Sequence, residues 1–349
     1  MAILRKRRAV AAPESPVRFG RLRRLGRRLG LGIGLVLALI GGLSVYRAFA
    51  DPPGVGHFRS AEGRQEYLGH YQRAMQQLSE PTATHDVVTR YGIVRVYEWG
   101  TADGQPPVVL LPGRSSGVPM WTANLAGFAA SHRVLAFDAL GDAGLSVQTA
   151  PLRSFDDQAA WIDEVLAELA PQGVHLVGHS FGGATAASYA RLHPERVRSL
   201  ALLDPVFTVA YPPAEMMWWA LVGSLPGIPE GLREHALSRI GGADEEWADG
   251  EDADPVSLMI AAGTEHFAAE LPNPSPLSAE QAGRLTMPVY LAFAGRDSLA
   301  GGQDVADQAR RLLPQAQLQT WPNATHSLPM QEAVPLNLVL TEFWMAAEG

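Results

Sequence analysis

The chain has 349 residues, 47% of them hydrophobic and 18% charged, so it can bury a sizeable core and is not a disordered polymer. It contains no cysteine, which excludes disulfides, cysteine-ligated zinc, iron–sulfur clusters and a thiol nucleophile. The net charge of −8 conceals an asymmetry: residues 1–28 hold ten of the 28 basic residues and one acid, Glu14, and the acidic remainder argues against nucleic acid as a partner.

In chain order, residues 1–28 form a basic tail. Residues 29–46 follow without a charge, bounded by Arg27-Arg28 and Arg47. As a helix this segment spans about 27 Å, close to a bilayer's hydrocarbon thickness. The expectation is a single-pass membrane protein with a cytoplasmic N-terminus and the rest of the chain outside, by the positive-inside rule. The alternative is a secreted chain cleaved after the small-x-small sequence Ala48-Phe49-Ala50. Residues 51–84 read as a linker and an N-terminal helix, the helix over 60–78 with Tyr67, Tyr71, Met75 and Leu78 on one face.

The stretch from Val87 to Trp99 alternates about Tyr91-Gly92 and predicts a β-hairpin. Short apolar strands are expected at 108–111, 133–138, 174–178, 200–203, 289–294 and 318–321. Helices are expected near 119–130, 155–170, 182–193, 303–313 and 331–346. All-apolar strands alternating with helices predict an α/β fold, a mostly parallel sheet with helices on both faces, over 85–349. Residues 205–287 interrupt the alternation and are too long for a crossover, so an inserted cap is expected there.

Gly178-His179-Ser180-Phe181-Gly182 matches G-x-S-x-G between a predicted strand and a predicted helix. The pattern places a serine on a sharp turn, its oxygen raised above the sheet edge, and Ser180 is the candidate nucleophile. A serine needs a base, and the base needs an orienting acid. His326 follows the last predicted strand and is the candidate base. Asp204, after the strand LALL, and Asp297, after VYLAFA, both fall at the same sheet edge and are candidates for the acid. An oxyanion hole needs N–H donors. Phe181, directly after the serine, is one candidate. The loop Leu111-Pro112-Gly113-Arg114-Ser115 is a candidate source of the second.

These pieces together resemble the α/β-hydrolase superfamily over about residues 85–346. The segments LLPGRSSGVPMW, RVLAFDALGDAGLSVQ, GHSFGG, PERV, LLDPV and NATHSLPM look most similar to its bacterial carboxylesterase-type branch. The resemblance implies the acid at Asp297, the commoner position, with Asp204 the alternative. It implies oxyanion donors at Phe181 and Arg114, and cleavage of carboxylic esters through an acyl-enzyme without metal or organic cofactor. Pro112 stands where the superfamily usually has a His. Thioester, lactone or C–C bond hydrolysis, acyl transfer and cofactor-free haloperoxidase-like chemistry would use the same residues, and a non-catalytic binding protein is the remaining alternative. The apolar cap residues Pro212, Pro213, Met216, Met217, Trp218, Trp219 and Leu221 suit a small-molecule ester with an apolar acyl or aryl group. The acidic run from Asp244 to Asp254 lacks the order of a calcium loop and reads as solvated.

Overall fold

The computed structural model describes residues 54–101, 104–225, 227–241 and 254–349. The expected membrane segment and Asp244 to Ala253 of the acidic run lie outside the described residues. Among the described residues no helix is long and apolar enough to cross a membrane.

A nine-stranded sheet forms the centre. It contains β2 (Ala83–Thr89), β3 (Gly92–Trp99), β4 (Val108–Leu111), β5 (Val134–Phe137), β6 (Val147–Gln148), β7 (Val174–His179), β8 (Val197–Leu203), β10 (Val289–Ala294) and β11 (Gln317–Trp321), in the order β11-β10-β8-β7-β4-β5-β3-β2, with β6 paired to β3. The six strands from β11 to β5 are parallel, and β2, β3 and β6 are antiparallel to their partners. The hairpin expected about Tyr91-Gly92 closes through Arg90-Tyr91, with Thr89 opposite Gly92.

The interior parallel strands β4, β5, β7 and β10 are buried throughout because both sheet faces are covered, whereas the edge strand β11 is only partly buried. Along β10, Val289, Leu291 and Phe293 point to one core, while Tyr290, Ala292 and Ala294 point to the other. The first core is closed by α3 (Phe155–Leu169), α4 (Phe181–Leu192) and α9 (Gly302–Leu312). The second is closed by α2 (Thr122–Ala129) and α11 (Ala333–Glu348). In α3, Trp161, Ile162, Val165 and Leu166 fall on one face, as a 3.6-residue period requires. Its start is set by a reciprocal capping box between Ser154 and Asp157, an arrangement in which the cap residue stabilises by about 1 kcal/mol. The helix expected near 119–130 is subdivided into a 3-10 turn at Val118–Trp121 and α2, and the one expected near 331–346 is preceded by a separate turn, α10 (Leu328–Gln331). Each of these short leading pieces carries a proline in its first turn, Pro119 and Pro329.

The interval between β8 and β10 holds α5 (Ala214–Ser224), α6 (Glu230–Gly241), α7 (Pro255–His266), the two-residue strand β9 (Phe267–Ala268) and the single turn α8 (Ala279–Ala282). The N-terminal helix α1 (Ala61–Met75) packs on α7 in a third core of Tyr67, Tyr71, Ala74, Val256, Met259 and Ala262. The approach is close because glycines face it: a Cβ on Gly63 would fall within 3.0 Å of the His266 ring, and one on Gly263 would stand 3.0 Å from Ser115. The short strand β1 (His57–Phe58) pairs with β9 beside this contact.

Candidate active site

Three loops at the C-terminal edge of the parallel strands build the site. The first is the turn from β7 into α4. Ser180 takes φ +55° there, a conformation that costs a non-glycine residue of order 1–3 kcal/mol. Neighbouring glycines make room for the turn. A Cβ on Gly178 would strike the backbone of Gly182 and Gly183, and one on Gly182 would strike the carbonyl oxygens of Leu111 and Pro112. Ser180 also opens α4, whose first N–H groups have no intrahelical acceptor.

The second loop follows β11 and carries His326. Its Nε2 lies 2.9 Å from Ser180 Oγ, and its Nδ1 lies 2.6 Å from Asp204 Oδ2. Asp204 ends β8 and is fully buried. Its other oxygen accepts from the Ala294 N–H at 3.1 Å and from the Ser298 hydroxyl at 2.7 Å. One buried carboxylate therefore receives three hydrogen bonds, which offset the cost of removing it from water. A serine, an imidazole and a carboxylate in this order can pass the hydroxyl proton to the ring while the acid fixes the ring's tautomer.

The expectation for Asp297 is corrected by this geometry. Asp297 lies in the loop after β10, exposed and at φ +40°. The carboxylate on His326 belongs to Asp204. The physical reason is the way the β10 loop turns. The Arg296 N–H donates to the Ala324 carbonyl at 2.9 Å, Asp297 faces outward, and Ser298 faces inward to brace Asp204. The loop expected to supply the acid supplies a hydroxyl to it instead.

The third loop follows β4. Its backbone runs past the serine: a Cβ on Gly113 would stand 3.2 Å from Ser180 Cβ. Asp142, from the loop after β5, accepts from the Ser115 N–H at 2.8 Å and holds this segment while Ser115 takes φ +57°. The Gly113 N–H reaches Met120 Sδ at 3.4 Å, and the Ser116 N–H reaches the Gly113 carbonyl at 3.3 Å. Among the described residues no acceptor engages the Arg114 N–H. The Arg114 side chain lies over the Phe181 ring at 5.1 Å, with Nε 3.6 Å from Asp142.

His179 was passed over in the sequence, although it sits inside the serine motif. Its Nε2 donates to the His326 carbonyl at 2.8 Å, and its ring lies 4.8 Å from that of His326. Burial pushes its pKa down to about 3, with the neighbouring His326 adding to the shift. The neutral ring steadies the backbone of the candidate base. Ser298 and Asp142 were missed too, because nothing local marks a serine or aspartate whose partner lies in another loop.

The inserted segment rests on the same loops. Thr325 and Ser327, flanking His326, donate through their hydroxyls to the Gly241 carbonyl at the end of α6, at 2.7 and 3.1 Å. Of the apolar residues expected to receive an acyl group, Pro212 and Met216 are buried, whereas Met217, Trp218 and Leu221 are exposed.

Comparison with known proteins agrees with this architecture. A family model described as the alpha/beta hydrolase fold matches residues 106–333. The carboxylesterase YbfK of Bacillus subtilis (strain 168) is 24% identical over 296 residues, 82% of this chain and 96% of that protein. The uncharacterized carboxylesterase nap of the same organism is 34% identical over 122 residues, 35% of this chain and 40% of that protein. Among solved structures, naproxen esterase from Bacillus subtilis has a TM-score of 0.73 at 22% identity, covering 82% of this chain and 99% of that one. A strand–serine–helix elbow, an ordered loop on either side of it and a family match over most of the sheet lead to one conclusion: the chain belongs to the alpha/beta hydrolase fold family, as a carboxylesterase-like hydrolase.

Proposed function

We propose that the protein is a serine esterase that cleaves small carboxylic esters through a Ser180–His326–Asp204 triad and a covalent acyl-enzyme. The observation that carries this reading is the unbroken pair of hydrogen bonds from Ser180 through His326 to Asp204. His326 takes the hydroxyl proton as Ser180 Oγ attacks the ester carbonyl, and a tetrahedral oxyanion forms. The N–H groups of Phe181 and Arg114 stabilise that oxyanion, the first from the open end of α4 and the second from the loop held by Asp142. Collapse of the intermediate breaks the C–O bond, and the alcohol leaves with the proton from His326. Water, deprotonated by the same ring, then attacks the acyl carbonyl and releases the acid. An ester with an apolar acyl or aryl group suits the apolar cap residues around α5. The carboxylesterase description of the relatives supports ester cleavage over the other acyl chemistries of the same triad.

A fluorophosphonate, which labels activated serines, tests the scheme on the full chain. The parent is expected to be labelled, and Ser180→Ala and His326→Ala are expected to remain unlabelled while retaining the parent's circular dichroism spectrum. Equal labelling of the Ser180→Ala chain would remove the serine from its proposed role.

We also propose that residues 29–46 hold the protein in a membrane, with the hydrolase outside the cytoplasm. Support comes from the sequence: an uncharged 18-residue segment after a basic tail. The full chain is expected to sediment with membranes and to resist alkaline carbonate extraction. Recovery of the intact chain in the soluble fraction would overturn the tether, and a mature N-terminus near Asp51 would favour secretion.

A further inference from the structure

We propose that His132, His175 and Glu348 form a binding site for one divalent transition-metal ion of the zinc type, on the side of the sheet remote from Ser180. His132 lies in the turn before β5, His175 is the second residue of β7, and Glu348 ends α11. Both His Nε2 atoms lie 3.2 Å from the same oxygen, Glu348 Oε1, and the three donor atoms all fall within 4.8 Å of one another. Both imidazoles are fully buried, and the Glu348 side chain is 18% exposed, so the opening to solvent is on the carboxylate side. The ring of Trp344, one turn back on α11, packs 5.2 Å from His132 and 6.1 Å from His175 and forms an apolar wall.

The donor set is two imidazole nitrogens and one carboxylate oxygen, a combination that suits Zn2+ with a fourth position left to water. Two of the three ligand separations fit as they stand. An ion with bonds of about 2.0–2.1 Å in tetrahedral geometry holds neighbouring ligand atoms about 3.3 Å apart, close to the two 3.2 Å nitrogen–oxygen separations here, and the remaining pair of nitrogens lies within 4.8 Å. The second ring nitrogens are also held. Nδ1 of His132 lies 2.8 Å from Ser131 Oγ, and Nδ1 of His175 lies 2.8 Å from Ser199 Oγ. Such outer partners fix ring orientation in metal sites by accepting the Nδ1–H. Ser131 Oγ also has the Phe128 carbonyl at 3.4 Å as an acceptor for its own proton, which leaves its lone pair for His132. In that tautomer the His132 Nε2 turns a lone pair toward an anionic oxygen, and a cation between them removes the repulsion. In the competing, metal-free arrangement both Nε2–H groups donate to Glu348, and the serine hydroxyls donate to Nδ1.

The ion ties the end of α11 to the N-terminal ends of β5 and β7. It takes no part in ester chemistry, because Ser180 lies five residues beyond His175 along β7, about 16 Å at ~3.3 Å per residue. The site is independent of the proposed esterase reading.

The test uses the full chain, stripped with EDTA and then supplied with Zn2+ alone. One equivalent of Zn2+ is expected to survive dialysis, and the melting midpoint is expected to rise by several degrees. Co2+ in its place is expected to give the intense visible absorption of a tetrahedral site. Glu348→Gln, a change at a partly exposed helix end, is expected to lose metal retention and the thermal shift. Its rate of ester hydrolysis should stay within about twofold of the parent's. His326→Ala is expected to keep both metal responses, which separates this site from the imidazole beside Ser180. No Zn2+ uptake by the stripped parent, or full uptake by Glu348→Gln, would overturn the proposal in favour of the metal-free hydrogen-bond network.

Discussion

Asp204→Asn is expected to lower kcat for ester hydrolysis about 10⁴-fold, while Asp297→Asn stays within a few-fold of the parent. Loss of the orienting carboxylate from a serine triad costs about that factor, about 5.4 kcal/mol of transition-state stabilisation. The cause here would be the tautomer of His326. An amide that turned its NH2 toward Nδ1 would force the ring proton onto Nε2, which could then no longer accept from Ser180. An amide that turned its oxygen toward Nδ1 would place NH2 against the Ala294 N–H and the Ser298 hydroxyl, both donors to Asp204 Oδ1 in the parent. Either arrangement leaves one side mismatched. The small effect expected at Asp297 follows from its exposed side chain and from the Asp204 carboxylate that occupies His326 Nδ1. Steady-state kinetics on the two variants, with a circular dichroism check that both are folded, decide the matter. Retention of activity by Asp204→Asn together with its loss in Asp297→Asn would reverse the assignment.

Gly182→Ala is expected to damage both stability and rate. The added methyl would fall within 3.0 Å of two backbone oxygens, those of Leu111 and Pro112, and backbone yields less easily than the end of a flexible side chain. Overpacking of this kind costs about 1–3 kcal/mol, enough to lower the melting midpoint by several degrees. The same push displaces the loop that carries the Arg114 N–H. A misplacement of about 1 Å at a reacting centre can cost 10²-fold, so kcat is expected to fall by roughly that factor. Gly69→Ala provides the contrast. Gly69 lies within α1 and has open space at its Cβ, so the substitution is expected to stabilise by about 0.5–1 kcal/mol. Thermal melts and kcat for the two variants test the pair, and an unchanged Gly182→Ala enzyme would contradict the crowding.

The interior of the sheet was legible because its parallel strands are short, apolar on both faces and separated by helices, whereas the two-residue strand β6 carried no such signal. The strands at 108–111 and 289–294 stand where the pattern placed them. The serine elbow was legible because its glycines are a local steric necessity. The choice of acid was not. Asp204 and Asp297 each end a parallel strand at the same edge, and their local sequences give no preference for His326. What separates them is the turn after β10, which sends Asp297 out and Ser298 in. That turn is set by contacts with the His326 loop, including the bond from Arg296 to Ala324. The cluster of His132, His175 and Glu348 was illegible for a related reason. Its closest bonded pair in sequence to Glu348 is 173 positions away, and only the closing of the sheet against α11 brings the three together.

The contact between α1 and α7 has a mechanical consequence. Helix α1 is anchored to the hydrolase body by the Tyr71 hydroxyl, 2.8 Å from the buried Asp138 carboxylate. Helix α7 is in turn clasped by α1 and laid against Ser115 through Gly263. That half of the roof behaves as a fixed rafter. The half formed by α5 carries Met217, Trp218 and Leu221 into solvent, and its end is tied to α7 through Arg233 of α6, which donates to the Gly223 and Leu225 carbonyls and pairs with Glu265 at 3.1 Å. The seam between α1 and α7 therefore joins distant parts of the chain in series: α1 holds α7, α7 abuts Ser115, and Ser115 belongs to the loop that passes Ser180, so a change at the first contact reaches the last through packed atoms.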